Sequence, residues 1–141
     1  MAFRLNTYER ELVKPMKKPL TAPLDLALSD SDVSKLRAGF RPRSQDDKWA
    51  WLIERGDDSN VISVHVIRHF VHEEVYVLHI ALESSNSSNG KSARIRSITW
   101  EGEWNGVRND VGPAKRNVVV LARSILGCDF ETLPRYASGS V

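Results

Sequence analysis

Two adjacent segments with apolar residues on both of their faces constrain the fold of this chain more than any other feature. Residues 61–70 (VISVHVIRHF) and 74–82 (EVYVLHIAL) both alternate in the manner of β-strands. A strand with one solvated face normally alternates apolar with polar side chains. We therefore expect these segments to form a hairpin that is covered on both sides, with a short turn near residue 72.

The two faces of this predicted hairpin differ in composition. One face is almost wholly aliphatic, and its residues are Ile62, Val64, Val66, Leu78, Ile80 and Leu82. The other face combines aliphatic residues with three imidazoles, which belong to His65, His69 and His79. A mixed surface of this kind suits a ligand or a partner, so the histidine face is the candidate site.

The remaining patterns predict an α+β fold. Four strands are expected, at residues 48–55, 61–70, 74–83 and 93–101. The connections between the first three are short and rich in turn-forming residues, which favours hairpins. The strands therefore predict a four-stranded antiparallel meander.

One helix is expected before these strands in the sequence, and a second helix after them. Ser29 to Asp32 offer side-chain acceptors for the free amides of a helix start, and Gly39 is suited to end this short N-terminal helix. The main, C-terminal helix is expected over residues 110–126, with Pro113 in its first turn. Its apolar stripe consists of Val111, Ala114, Val118, Leu121, Ala122 and Ile125. We expect this stripe to pack on the aliphatic face of the sheet.

The first part of the chain is expected to be an arm. Pro15, Pro19 and Pro23 prevent a long helix and favour an extended path. The leucines that follow give the second half of the arm something to bury against the sheet. The predicted organisation is an N-terminal arm at 1–28 and a single α+β domain at 29–141, which is the common size for one hydrophobic core.

Composition restricts the environment and the partners. The chain has 20 basic and 18 acidic residues and a net charge of +2, which does not require a polyanionic partner. Basic and acidic residues are interleaved without a nucleic-acid motif, so we expect no nucleic-acid partner. A single cysteine, Cys128, excludes an internal disulfide and fits a reducing compartment. With no secretory core and no membrane-length apolar run, a soluble cytoplasmic protein is expected.

The spacing of the histidines suggests a pair. A turn centred on His72 would set His65 directly opposite His79, with Cβ atoms about 5 Å apart. Two imidazoles at that distance could line a ligand site or share a proton. A metal site needs three or four ligands, and the pair supplies only two, so we expect no metal. The alternative is a pair of ordinary sheet histidines whose nitrogens are hydrogen-bonded or solvated.

Trp49 and Trp51 alternate on one side of the first predicted strand. They are either a pocket wall beside the histidines, because indole offers a large rigid area with one polar group, or core packing. No complete catalytic motif accompanies them. Gly90-Lys91-Ser92 is not a phosphate-binding loop, because position 85 is a serine and a strand is expected to follow. No cofactor is therefore expected.

A resemblance covers roughly residues 41–101. The residues that carry it are DDKW at 46–49, which opens a strand, VIR at 66–68 and EVYV at 74–77. These motifs resemble a scattered group of small soluble α+β proteins of uncharacterised function. Members of that group favour an Arg-Ser-Trp-Thr-Gly turn, from which residues 68–72 depart. The resemblance supports the hairpin and implies no activity.

Two functional hypotheses follow from the candidate ligand-binding residues His65, His69, His79, Trp49 and Trp51. The first is a non-enzymatic binding or protein-interaction module that uses the mixed face. Its partner would be another protein, a second copy of the chain as a homodimer, or a small molecule. The alternative is a small-molecule enzyme of isomerase or hydrolase type, with His65 or His79 as general base in a tryptophan-walled pocket. A cavity behind the histidines would favour the enzyme.

Overall fold

The alternating segments form an antiparallel sheet in the computed structural model of the chain, which describes residues 3–4, 13–40, 48–55, 60–69, 71–82, 91–104, 107–130 and 133. The strands are β1 (Phe3–Arg4), β2 (Pro19–Ser29), β3 (Trp49–Arg55), β4 (Val61–Arg68), β5 (Glu73–Leu82), β6 (Lys91–Glu101), β7 (Glu103–Trp104) and β8 (Val107–Arg108). The helices are α1 (Asp30–Ala38) and α2 (Val111–Leu121), and a π-helical turn at Ala122–Leu126 continues α2.

The main sheet runs in the order β1-β3-β4-β5-β6-β2, and all neighbouring strands are antiparallel. The predicted meander is present as β3 to β6. The predicted number of strands is too low, because β2 adds a fifth long strand beside β6. A two-residue strand, β1, also pairs with the outer edge of β3. Strands β7 and β8 form a separate two-stranded ribbon.

Strand β2 comes from the segment that was expected to be an arm. Leu26 and Leu28 are buried in it, because alternate residues of β2 face the same core as β6. Pro19 and Pro23 fit this position, since a proline can turn its missing amide toward the unpaired side of an edge strand. At Asp25, a φ of 49° accompanies the bulge that interrupts the pairing of β2 with β6. The prolines that suggested an arm therefore indicate an edge strand.

Helix α2 packs on the aliphatic face of the sheet, as the sequence predicts. Val118, Leu121 and Ala122 belong to the same buried cluster as the aliphatic strand residues, and Ile125 packs against it. The strand residues of this cluster include Val64, Val66, Leu78 and Ile80. The apolar stripe of α2 and the aliphatic face of β4 and β5 therefore pack against each other.

Helix α1 contributes Val33 and Leu36 to that cluster. Its start agrees with the predicted cap, because the Ser29 hydroxyl accepts a hydrogen bond from the Asp32 amide at 3.1 Å. It ends at Gly39, where a φ of 63° is easily reached by glycine. Both described helices thus lie on one side of the sheet.

Two buried carboxylates fasten the segments that lead into and out of this core. The Asp32 side chain accepts hydrogen bonds from the amides of residues 129 and 130, at 2.7 and 2.9 Å. The Glu101 side chain accepts from the amides of residues 17 and 18, at 2.9 and 2.8 Å. Bonds from backbone amides to an ionised carboxylate are stronger than neutral ones. For each carboxylate, the hydrogen bonds from two successive amides therefore offset the free-energy cost of its burial.

We expect Leu121→Ala to lower the free energy of unfolding by about 2–4 kcal/mol. Leu121 is 5 % exposed and contributes to the contact between α2 and the sheet, so its truncation leaves a cavity. Urea denaturation measures the change. The matched control is Arg116→Ala, at an exposed position of the same helix. A loss no larger than that of the control would contradict the docking of α2.

Candidate functional site

The predicted histidines lie on the face of the sheet that points away from both helices. His65 pairs with Val77, and His79 pairs with Ser63. The two imidazoles therefore share a face, but the predicted direct pairing of His65 with His79 is wrong by two residues. The pairing of Ile67 with Glu74 and an irregularity after Val66 together set this register.

His65 is held between two glutamates that the sequence does not place together. Its Nδ1 lies 2.7 Å from Oε2 of Glu74, and its Nε2 lies 3.0 Å from Oε1 of Glu54. The Ser63 hydroxyl is 2.9 Å from the same Nε2. Only 8 % of His65 is exposed. Both ring nitrogens of His65 therefore lie within hydrogen-bond distance of a carboxylate oxygen.

The sequence signal for these glutamates is weak because it depends on registers between strands. Glu54 reaches His65 from β3, where it is the cross-strand partner of Ser63. Glu74 reaches it from the start of β5, nine residues along the chain. Neither position can be related to His65 until both hairpin registers are known.

His79 has a different environment, in which a hydroxyl rather than a carboxylate contacts its ring. Its Nε2 lies 2.8 Å from the Thr99 hydroxyl, which in turn lies 2.8 Å from the Thr21 hydroxyl. Burial lowers the pKa of His79, the nearby His65 lowers it further, and Glu74 opposes them. His79 is therefore a neutral imidazole at neutral pH, able to donate one hydrogen bond and accept another.

These residues belong to a surface that we call the polar face: Thr21, Ser63, His79, Ser97 and Thr99. They lie on neighbouring strands from β4 to β2, and each is partly or fully exposed. On the β3 side, the same face of the sheet continues as a small buried apolar cluster of Ala50, Leu52 and Ile67, against which Val13 packs. The face is thus apolar at one end and hydroxyl-rich at the other.

The tryptophans do not wall the histidine site, so that part of the prediction is wrong. Trp51 pairs with Val66 and is fully buried in the cluster beneath α2. Trp49 is on the same side, with its ring centroid 6.4 Å from that of Tyr76 and the Arg68 guanidinium 5.7 Å above it. The sheet itself separates both indoles from His65 and His79. The register between β3 and β4 determines this, because it sets which residues of β3 share a face with β4.

His69 is also displaced from its predicted place. It follows the end of β4, and its ring packs edge-on against His72 with centroids 6.2 Å apart. Its amide donates to the carbonyl of Lys48 at 2.8 Å. His69 is therefore a residue of the turn rather than of the strand surface.

Glu54 prevents His65 from acting as a base for the Ser63 hydroxyl. Ser63, His65 and Glu74 form a hydroxyl–imidazole–carboxylate chain with contacts of 2.9 and 2.7 Å, the order found in nucleophilic hydrolases. Glu54, however, lies against the same nitrogen that would have to take the serine proton.

Among the described residues, no group of three or more potential ligands is arranged to hold a metal. No helix in the described ranges is long and apolar enough to cross a membrane.

Comparison with known proteins adds no relative: no protein-family model, curated protein or solved structure matches the chain. The resemblance noted over residues 41–101 therefore stays a prediction, and the site is interpreted from its own geometry.

We expect the free energy of unfolding to fall as the pH is lowered from about 7.5 to about 5.5, and to fall less in His79→Gln. The pKa of His79 is lowered in the folded chain from 6.5, so the unfolded chain takes up a proton first. The stability that the neutral imidazole provides is complete above 6.5 and is lost as the pH falls toward the folded pKa.

Urea denaturation across this pH range measures the effect. Ser34→Gln, at an exposed position of α1, is the control and should keep the wild-type slope. An identical slope in His79→Gln and wild type would contradict the neutral, half-buried imidazole.

Proposed function

We propose that the chain is a non-enzymatic interaction module that binds protein through the polar face, and that the partner is a second copy of the chain. The observation that carries this proposal is the chain of contacts from His79 through Thr99 to Thr21, which crosses β5, β6 and β2. These side chains are fixed on strands before any partner arrives, so less conformational entropy is lost on binding.

The chemistry of the polar face favours pairing with a copy of itself. A two-fold symmetric interface brings one surface patch against the same patch of the other subunit. Hydroxyls and a neutral imidazole both donate and accept hydrogen bonds, so each group of the patch can find a complementary partner on the copy. A surface of lysines or glutamates would instead repel its copy.

The charged groups of this region do not oppose such contact. Side chains of His65, Glu54 and Glu74 are only 10, 14 and 11 % exposed. These three side chains contact one another within the sheet layer, next to the polar face rather than on its exposed part. The apolar cluster at Ala50, Leu52 and Ile67 supports the strands on which these groups are carried.

The enzyme alternative has one supporting observation, the contact of the Ser63 hydroxyl with His65. Two features argue against it. Glu54 competes for the same ring nitrogen, and the predicted tryptophan wall lies on the other side of the sheet. A general base needs a free nitrogen within reach of the proton that it removes, and His65 offers none.

We expect the wild-type chain to self-associate with increasing concentration and Thr21→Lys to weaken association about tenfold or more. Thr21 is exposed at the polar face, so a lysine there adds an unpaired charge to the interface. Sedimentation equilibrium between about 10 μM and about 1 mM measures it. Ser34→Lys on α1 is the control and should associate like wild type. A wild-type chain that stays monomeric throughout, or a Thr21→Lys chain that dimerises equally well, would overturn the proposal.

We expect Ser63→Ala to leave the hydrolysis of p-nitrophenyl acetate unchanged relative to wild type. Without a free nitrogen on His65, the serine has no base, so both proteins should show only background reactivity of surface groups. Stopped assays at neutral pH with equal protein concentrations measure this. A hundredfold or greater fall in Ser63→Ala, of the order seen when a catalytic nucleophile is removed, would favour the enzyme instead.

A further inference from the structure

His79 is the one ionisable residue among the five that define the polar face. Its cross-strand partners are Ser63 on β4 and Ser97 on β6. Its Nε2 lies 2.8 Å from the Thr99 hydroxyl, which lies 2.8 Å from the Thr21 hydroxyl on β2. His79 itself is partly buried, whereas Thr21 is exposed. A change in the charge of His79 therefore alters the surface proposed for self-association.

The hydrogen bonds from His79 to Thr21 can run in two directions while the imidazole is neutral. In one direction, Nε2 donates to Thr99, Thr99 donates to Thr21, and the Thr21 hydrogen is left for a partner. In the other, Nε2 accepts from Thr99, Thr99 accepts from Thr21, and the Thr21 oxygen is left to accept. A protonated imidazole carries hydrogen on both ring nitrogens, so only the first direction remains.

A symmetric interface through this face uses both directions. A two-fold axis brings the same patch of each copy together, so a hydrogen bond between the two patches needs a donor on one copy and an acceptor on the other. Two neutral imidazoles allow this arrangement. Two protonated imidazoles would instead leave a donor at Thr21 in both copies. Both charges would also lose water on association, which is costly without a counter-charge.

The ionisable groups near His79 on β3, β4 and β5 are Glu54, His65 and Glu74, which contact one another. Burial lowers the pKa of His79 from 6.5, His65 lowers it further, and Glu74 raises it. His79 in the free chain therefore takes up its proton below pH 6.5. Burial by a second copy would move proton uptake to still lower pH, because a desolvated imidazole resists the charge.

The charged groups of β6 and β2 around this face do not explain a change near pH 6. Arg94 pairs with Asp25 at 3.0 Å, and the Glu101 carboxylate accepts two backbone amides. Arg96 is exposed, at the point where the pairing of β5 with β6 shifts. Carboxylates and guanidinium groups ordinarily keep their charge between about pH 5 and about pH 7.5. A change in this range therefore comes from a histidine.

His79 and His65 differ in what a partner can reach. Only 8 % of His65 is exposed, and both its ring nitrogens lie against carboxylates. His79 is connected through two hydroxyls to the exposed Thr21. The charge that matters to a second copy is therefore the charge of His79.

We infer that protonation of His79 controls self-association through the polar face: the dimer forms with both imidazoles neutral, and proton uptake separates the two copies. This inference rests on the proposed function and adds its regulation. Association is strongest above the pH at which His79 of the free chain titrates, and it weakens as the pH falls through that value.

Sedimentation equilibrium of the wild-type chain at about pH 7.5 and about pH 5 measures the dissociation constant of the dimer in both states of His79. We expect this constant to be at least about tenfold larger at the lower pH, because two protons must be released before the dimer forms. Circular dichroism at both pH values checks that the chain is folded.

Two variants identify the histidine responsible. His79→Gln keeps groups that donate and accept hydrogen bonds but cannot be charged, so its dissociation constant should change less than about twofold between the two pH values. His72→Asn is the matched control, because it removes an imidazole from the turn, where a φ of 56° suits asparagine. It should keep the wild-type pH dependence.

A second measurement does not require a variant to associate. The titration midpoint of His79, followed by the NMR signals of its ring protons in the wild-type chain, should move to lower pH between about 50 μM and about 1 mM protein. Equal dissociation constants at both pH values, a wild-type pH dependence in His79→Gln, or a midpoint independent of concentration in an associating chain would overturn the inference and leave the proposed function standing. A wild-type chain that is monomeric at both pH values would overturn both.

Discussion

The register of the β4–β5 hairpin depends on one irregularity near the start of β5, and the distribution of chemistry between the two faces follows from it. Near the turn, Ile67 pairs with Glu74, but the next pair is Val66 with Tyr76. Strand β5 therefore has one extra residue here, which is the pattern of a β-bulge. Without it, His79 would pair with Ile62 and lie beneath α2, because a shift of one residue moves a side chain to the other face.

The same bulge supplies the glutamate that balances His65. Glu74 and Tyr76 are two residues apart and in a regular strand would share a face. Here Glu74 contacts His65 on the face away from the helices, whereas Tyr76 joins the cluster under α2. The bulge thus separates a charged, hydrogen-bonded region on one side from the cluster under α2 on the other. Bulges often occur where a strand must redirect a side chain for a specific purpose.

Short-range patterns were sufficient to predict much of the fold. The aliphatic alternation, the stripe of α2 and the cap at Ser29 each depend on a few neighbouring residues, and each is present in the structure. Strand β2 was missed because its prolines were interpreted as breakers of structure, although edge strands accept them.

The candidate site was harder to predict. The shared face of His65 and His79 could be deduced, but their partners depend on the β3–β4 register and on the bulge, which no local pattern specifies.

The separation of the histidines from the tryptophans is the central claim, and a proton NOE spectrum with selectively labelled aromatic residues and threonine tests it directly. The ring protons of His79 should show contacts to the Thr99 methyl group, since its Nε2 lies 2.8 Å from the Thr99 hydroxyl. The Tyr76 and Trp49 rings, whose centroids are 6.4 Å apart, should contact each other. Contacts from the ring of His65 or His79 to the indole of Trp49 or Trp51 would contradict the register, and with it the assignment of the histidines and the tryptophans to opposite faces.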